Sequence, residues 1–155
     1  MKKIKKILIT GSCGLVGYSA VKYFSSKKYK VFGIDNNMRK FFFGKSGNVN
    51  HHLRELSKIS NYKHFNTDIR NEKKIDDLIK KIKPDAIIHA AGQPSHDYAA
   101  QIPLIDFEVN ALGTFYLLNS IKKYCKDSPF IFLSTNKVYG DNPNFLKLKE
   151  TKTRW

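Results

Sequence analysis

Gly11, Gly14 and Gly17 recur at a spacing of three in Thr10-Gly11-Ser12-Cys13-Gly14-Leu15-Val16-Gly17, directly after the apolar run Ile7-Leu8-Ile9. Between a strand and a helix, such a loop brings bare backbone up to a diphosphate. The first glycine turns off the strand, the second leaves room for phosphate oxygens, and the third lets helix and strand approach closely. The amides and dipole of the helix start then face the anion. Asp35 supplies a second piece of chemistry. It closes the strand-like run Lys30-Val31-Phe32-Gly33-Ile34, about 20 residues beyond the loop, where an acid accepts both hydroxyls of a ribose.

The elements that must position these residues alternate along the chain. A strand at 5–10 leads into the glycine loop and a helix at 14–27, whose Leu15, Ala20, Val21 and Phe24 recur at helical spacing. A strand at 30–35 follows, then a loop over 36–50, with Asn50 placed to cap a short helix to about 60. Tyr62–Phe65 reads as a strand, and Asn71 as the cap of a helix striped by Ile75, Leu78, Ile79 and Ile82 and ended by Pro84. Ala86–His89 is a buried-type strand, 103–125 a long helix and Phe130–Leu133 a last strand, with an irregular tail beyond. This alternation predicts an α/β fold: a Rossmann-type, doubly wound parallel sheet of about five strands in one domain spanning 1–155. Ligands in such sheets bind beyond the strand carboxyl ends. Gly11, Asp35, Asp68, Ala90 and Thr135 all fall there.

Composition narrows the setting. The 155 residues suffice for one domain with a real core, and the hydrophobic share of 41% is ordinary for a globular protein. The net charge of +15 suits anionic partners, yet the lysines are scattered along helix faces, and no arginine-rich or aromatic-basic groove emerges. They are read as solvated faces, and no nucleic-acid partner is expected. The two cysteines have no metal or redox spacing, so no metal site is expected and a reducing cytoplasm fits best. Met1-Lys2-Lys3-Ile4-Lys5-Lys6 opens like a secretory signal, but the following segment breaks at three glycines. No apolar stretch is long enough to span a bilayer, so no membrane partner is expected.

Five motifs occur in order: the glycine loop, Asp35, Thr67-Asp68-Ile69-Arg70, His89-Ala90-Ala91-Gly92-Gln93 and Ser134-Thr135-Asn136-Lys137-Val138-Tyr139-Gly140. Together they resemble the N-terminal half of the extended short-chain dehydrogenase/reductases, the NAD-dependent epimerase/dehydratase family acting on nucleotide sugars. Asp35-Asn36-Asn37-Met38-Arg39, Gln93-Pro94-Ser95-His96-Asp97 and the Ser-Thr-Asn-Lys-Val-Tyr-Gly run look most similar to its branch of CDP-paratose 2-epimerases.

The resemblance implies that Gly11, Cys13, Gly14, Leu15, Val16 and Gly17 hold the NAD diphosphate, and that Asp35, with Asn36 beside it, holds the adenosine ribose. Asp68 and Ile69 would lie against adenine, while Ala90, Ala91 and Gly92 would border the nicotinamide side. Asn110 would support the active-site wall. Asp35 favours NAD over NADP, while nearby Arg39 leaves room for a 2′-phosphate. Thr135, with Ser134 beside it, would hydrogen-bond the reacting sugar oxygen. The implied chemistry is a transient oxidation in which hydride passes to NAD and returns to the other face of the sugar. A CDP-sugar is the favoured substrate, and a homodimer is usual in the family. The pathway implied is lipopolysaccharide or other cell-surface sugar synthesis.

The family's base is a tyrosine in a Tyr-x-x-x-Lys motif past the Val-Tyr-Gly run, where only Asp141 to Trp155 follow. The chain is thus expected to be the cofactor-binding part of a longer domain, truncated before the later strands and the substrate region. Tyr18 with Lys22 and Tyr23 with Lys27 match the spacing, but sit on the first helix and are read as chance. Ser95-His96-Asp97 cannot stack as a triad and is read as a loop near the nicotinamide. His51 and His52 are expected to diverge on a helix, His89 to be packed, Lys137 to be a loop or substrate contact, and Phe41-Phe42-Phe43 to pack in a loop, cover adenine or meet a partner surface.

An unpaired outer edge on the last strand and apolar surface on the 103–125 helix predict a poorly soluble or marginally stable isolated chain. Rival readings are a UDP- or dTDP-sugar 4-epimerase or 4,6-dehydratase, a non-catalytic NAD-binding module and, from charge alone, a nucleic-acid binder.

Overall fold

Five strands, β1 (Lys6–Thr10), β2 (Lys30–Ile34), β3 (Tyr62–Phe65), β4 (Ala86–His89) and β5 (Phe130–Phe132), pair in parallel in the order β3-β2-β1-β4-β5. The computed structural model describes residues 4–154, apart from the side chains of His96, Asn136 and Lys137. Between the strands run α1 (Leu15–Ser26), α2 (Arg39–Phe43), α3 (Asn50–Leu56), α4 (Glu72–Ile82), α5 (His96–Gln101), α6 (Pro103–Phe107) and α7 (Gly113–Tyr124). The central strands are apolar on both sides because helices cover both faces. Leu8, Ile34 and Ile87 pack against Ile75 and Ile79 of α4 and Leu117 and Ile121 of α7. On the other face Ile7, Ile9, Val31 and Ile88 meet Val21 of α1 and Leu56 of α3.

Local chemistry sets several boundaries. The Asn71 side chain accepts from the Lys74 amide at 3.0 Å and starts α4. Lys83 ends that helix in the left-handed region, and Pro84 follows. Asp76 on α4 accepts from Ser120, Lys123 and Tyr124 of α7, at 3.0, 3.1 and 2.7 Å, and fixes the two helices together.

The strands lie where the alternation predicts them, and the differences are confined to connections. The 36–50 segment is not a plain loop: it forms α2 and a 3₁₀ turn, Gly44–Gly47, with Phe42 buried. Asn50 does not cap α3; Val49 precedes the helix, and the Asn50 side chain turns back to accept from Asn37. That helix stops at Leu56 rather than near 60. Ser95-His96-Asp97 is not loop either, since Ser95 caps α5, its Oγ accepting from the Tyr98 amide. The long 103–125 helix is interrupted by a π turn, Glu108–Leu112, between α6 and α7. Such turns mark places where a helix is bent to serve a site.

Candidate functional site

β1 lies at the point where the winding direction reverses, with β2 on one side and β4 on the other. The crevice expected there is present: an open cleft of about 200 Å³ above the strand carboxyl ends. Its floor is the glycine loop. Gly11 has a left-handed φ of 65°, and a Cβ there would stand 2.7 Å from the Ala90 carbonyl oxygen. At Gly17 a Cβ would meet the Gly11 carbonyl oxygen at 2.0 Å, so only glycine lets α1 start this close to β1. The first turn of α1 has no side-chain cap and no acid, which leaves its amide donors and positive dipole end to an anion. This is a cradle that a dinucleotide diphosphate fits.

Asp35 stands at the cleft edge on the β2 side. Its Oδ2 accepts from the Cys13 amide at 2.9 Å and its Oδ1 from the Asn37 amide at 2.7 Å. Those bonds fix the carboxylate while each oxygen keeps a lone pair for a ribose hydroxyl. Asn36 donates to Asp68 at 3.0 Å and joins the ends of β2 and β3. Asp68 is also gripped by Arg70, whose other arm reaches Glu108 at 3.1 Å. Partial burial pushes the Asp68 carboxyl up, but the Arg70 bonds and charge outweigh it and hold the group below the usual carboxylate range.

On the β4 side, Ala90, Ala91 and Gly92 line the cleft. Asn110, in the π turn, accepts from the Gln93 amide at 2.8 Å and stands 3.3 Å from where a Gly92 Cβ would be, so it braces this wall. Beneath it runs a buried relay. The Ala91 amide donates to Thr10 Oγ1, which lies 2.6 Å from His89 Nδ1; His89 Nε2 lies 2.8 Å from Thr114 Oγ1, which donates to the Asn110 carbonyl. That direction makes His89 neutral with its proton on Nε2. Burial pushes its pKa down to about 4, so it is the packed histidine expected from its position.

Leu15, Val16, Ile69 and Arg39 also line the cleft. Leu15 is 80% exposed, so its place in the helical apolar pattern of α1 serves the cleft and not the core. Cys13 turns its side chain into the core and contributes its amide to Asp35. Its thiol is pushed up to about 12, by burial first and then by Asp35, which keeps it un-ionised. Ser134 and Thr135 follow β5, exposed at the carboxyl end of the sheet, and are not part of the cleft lining. The Lys137 and His96 side chains lie outside the described residues.

Several contributors were not singled out as site residues from the sequence. Met38, Val49, Thr67 and Pro94 line the cleft, and so does Phe42 of the phenylalanine run. Tyr62 braces the glycine loop, its hydroxyl 3.1 Å from Ser12 Oγ, in space that a Cβ on Gly33 would fill. A glycine inside a strand was the available signal for that approach. His51 and His52 do not diverge: their ring centroids are 4.0 Å apart. His52 instead bonds the Cys13 carbonyl at 2.7 Å and stacks on Tyr18, which ties α3 to the glycine loop. No cluster of metal-ligating side chains occurs among the described residues.

With this geometry in place, comparison with known proteins is decisive. The sequence profile of the GDP-mannose 4,6 dehydratase family matches residues 8–154. The chain belongs to the NAD-dependent epimerase/dehydratase family. It is 37% identical over 150 residues to the CDP-paratose 2-epimerase of Salmonella typhi, a match covering 97% of this chain and 42% of that protein. The UDP-Glc/GlcNAc 4-epimerase of Campylobacter jejuni superposes with a TM-score of 0.76 at 26% identity, over 88% of this chain and 39% of that one. The UDP-glucose 4-epimerase of Bifidobacterium longum, solved with NAD+ and UDP, gives 0.73 at 25% identity, over 88% and 38%. The chain therefore spans about two fifths of the length of these relatives.

Proposed function

We propose that this chain binds NAD in the cleft and is the cofactor-binding part of a nucleotide-sugar epimerase that inverts C2 of a CDP-deoxyhexose. The observation that carries the reading is the glycine cradle, with Asp35 fixed at its edge by the Cys13 and Asn37 amides. The choice of sugar rests on the 37% identity to the CDP-paratose enzyme. NAD, when bound, supplies the acceptor and donor of a hydride.

The chain's own residues then divide the remaining work. The amides of α1 hold the diphosphate, and Asp35 holds the adenosine ribose and disfavours a 2′-phosphate. Ala90 to Gly92, braced by Asn110, form the wall beside the reacting ring. Ser134 and Thr135 stand beyond β5 to hydrogen-bond the sugar oxygen that is oxidised and reduced again. Two free cysteines suit a reducing cytosol. Among the described residues no helix is long and apolar enough to cross a membrane. Supply of cell-surface sugars is the role this activity would serve.

Fluorescence titration with NADH tests the binding step. Saturable binding that is lost in Gly14→Asp, which sets a carboxylate against the phosphates, supports it; absence of binding refutes it. A 4-epimerase or 4,6-dehydratase is the second reading, favoured by the superposition on the Campylobacter jejuni enzyme. Supplying the C-terminal portion of a relative in trans separates the two, by turnover of CDP-paratose against UDP- or dTDP-sugars. NAD binding without turnover of any of them would make the chain a binding module.

A further inference from the structure

The loop after β2 and the helix after β4 rise on opposite sides of β1, so a contact between them crosses the crevice above the glycine loop. Phe42 makes that contact. Its side chain is 4% exposed and lines the cleft, and its ring meets Tyr98 of α5 edge-on, with centroids 6.2 Å apart and planes at 64°.

Each partner stands on a fixed stem. Asn37, in the left-handed region, donates to the side chains of Asn48 and Asn50 at 3.0 and 3.1 Å and accepts from the Val49 amide at 3.0 Å. The 38–48 excursion is therefore a closed loop pinned at its base, with Phe42 near its tip. Gly47 lets the 3₁₀ turn close against α2, since a Cβ there would stand 2.4 Å from the Arg39 carbonyl oxygen. On the other side, Gln93 is held by Asn110 and Asp106, at 2.8 and 2.9 Å, and Ser95 caps α5 just ahead of Tyr98. Two pinned stems thus meet through an apolar ring pair, the part of this assembly that opens without breaking a hydrogen bond of either stem.

We propose that Phe42 and Tyr98 form a latch across the nucleotide crevice, parting to admit a dinucleotide and re-forming to retain it. The inference rests on the reading that the cleft binds a dinucleotide. It assigns a role to the Phe41-Phe42-Phe43 run that neither the cradle nor the ribose acid uses. A reaction that returns the hydride it removes needs the same dinucleotide throughout, and a latch that slows release serves that need.

Stopped-flow fluorescence of NADH binding and release by the full chain provides the test, using Phe42→Ala, Tyr98→Ala, the double variant and Tyr98→Phe, with far-UV circular dichroism to verify folding. Removing one ring of such a pair is expected to speed release by about tenfold. Association should quicken as well, so that the dissociation constant moves less than either rate. The double variant should release no faster than either single one, and Tyr98→Phe should keep the wild-type rate. Phe42→Leu replaces Phe42→Ala if the alanine variant does not fold. Saturable binding with unchanged rates in the folded variants, or effects that multiply in the double variant, overturns the latch alone. No NADH binding by the wild-type chain overturns the dinucleotide reading and the latch with it.

Discussion

Around β1, β2 and β4 the apolar side chains are packed away, whereas on β5 Phe130 packs against the core while Ile131 and Phe132 stand half exposed. Leu8, Ile9, Ile34 and Ile87 are fully enclosed, and Thr10, His89 and Asp35 each have fixed partners. On β5 and just past it, Phe132 is 53% exposed, with Ile131 and Leu133 beside it, and α7 presents Phe115 and Leu118. The nucleotide side is complete in itself, because its helices cover both faces of the sheet. The β5 side carries the proposed sugar-binding residues on an edge strand that no other strand pairs with on its outer side among the described residues.

The sharpest way to break this contrast is at Gly17. Replacing it with alanine drives a Cβ into the Gly11 carbonyl, and a loss of about 4 kcal/mol or more is expected in urea denaturation, along with NADH binding. Next come paired truncations of the two sides. Ile87→Ala should cost about 2–5 kcal/mol because it leaves a cavity, whereas Ile131→Ala should stay within about 0.5 kcal/mol because that side chain is already half in water. Equal losses at the two positions would abolish the distinction.

A pH effect isolates the buried relay. His89 titrates near 4 in the fold because it is buried, and near 6.5 when unfolded. Between those values the unfolded chain takes up a proton that the folded chain refuses. Stability is therefore complete above about pH 6.5 and falls as the pH drops toward 4, by at most about 3 kcal/mol. Melting temperatures followed across that window should lose this component in His89→Asn. A smaller effect than the core truncation is expected at a cap on the covered side: Asn71→Ala should lower stability by about 1 kcal/mol, measured by the same denaturation.

Much of this was legible in the sequence because short-range chemistry enforces it. The glycine spacing, the acid closing β2, the cap at Asn71 and the stop at Pro84 each act within a few residues, and the five strands lie where the apolar runs fall. Residues 36–50 and 93–112 were not legible to the same degree. Their conformation depends on partners far along the chain: Asn37 on Asn48 and Asn50, Gln93 on Asn110, Phe42 on Tyr98. Leu15 shows a related limit, since helical spacing places a residue on a face without saying whether that face meets the core or a cleft.

The sequence by itself determined the order of strands and the place of the glycine loop, because glycine spacing and apolar periodicity are local constraints, and its ordered motifs carried the resemblance to the family. Only the tertiary structure decided which side chains close around the cradle. The Cys13 amide on Asp35, Tyr62 against Ser12 through the gap at Gly33, the neutral His89 relay and the Phe42–Tyr98 contact all join residues that only the folded sheet brings within a few ångströms of one another.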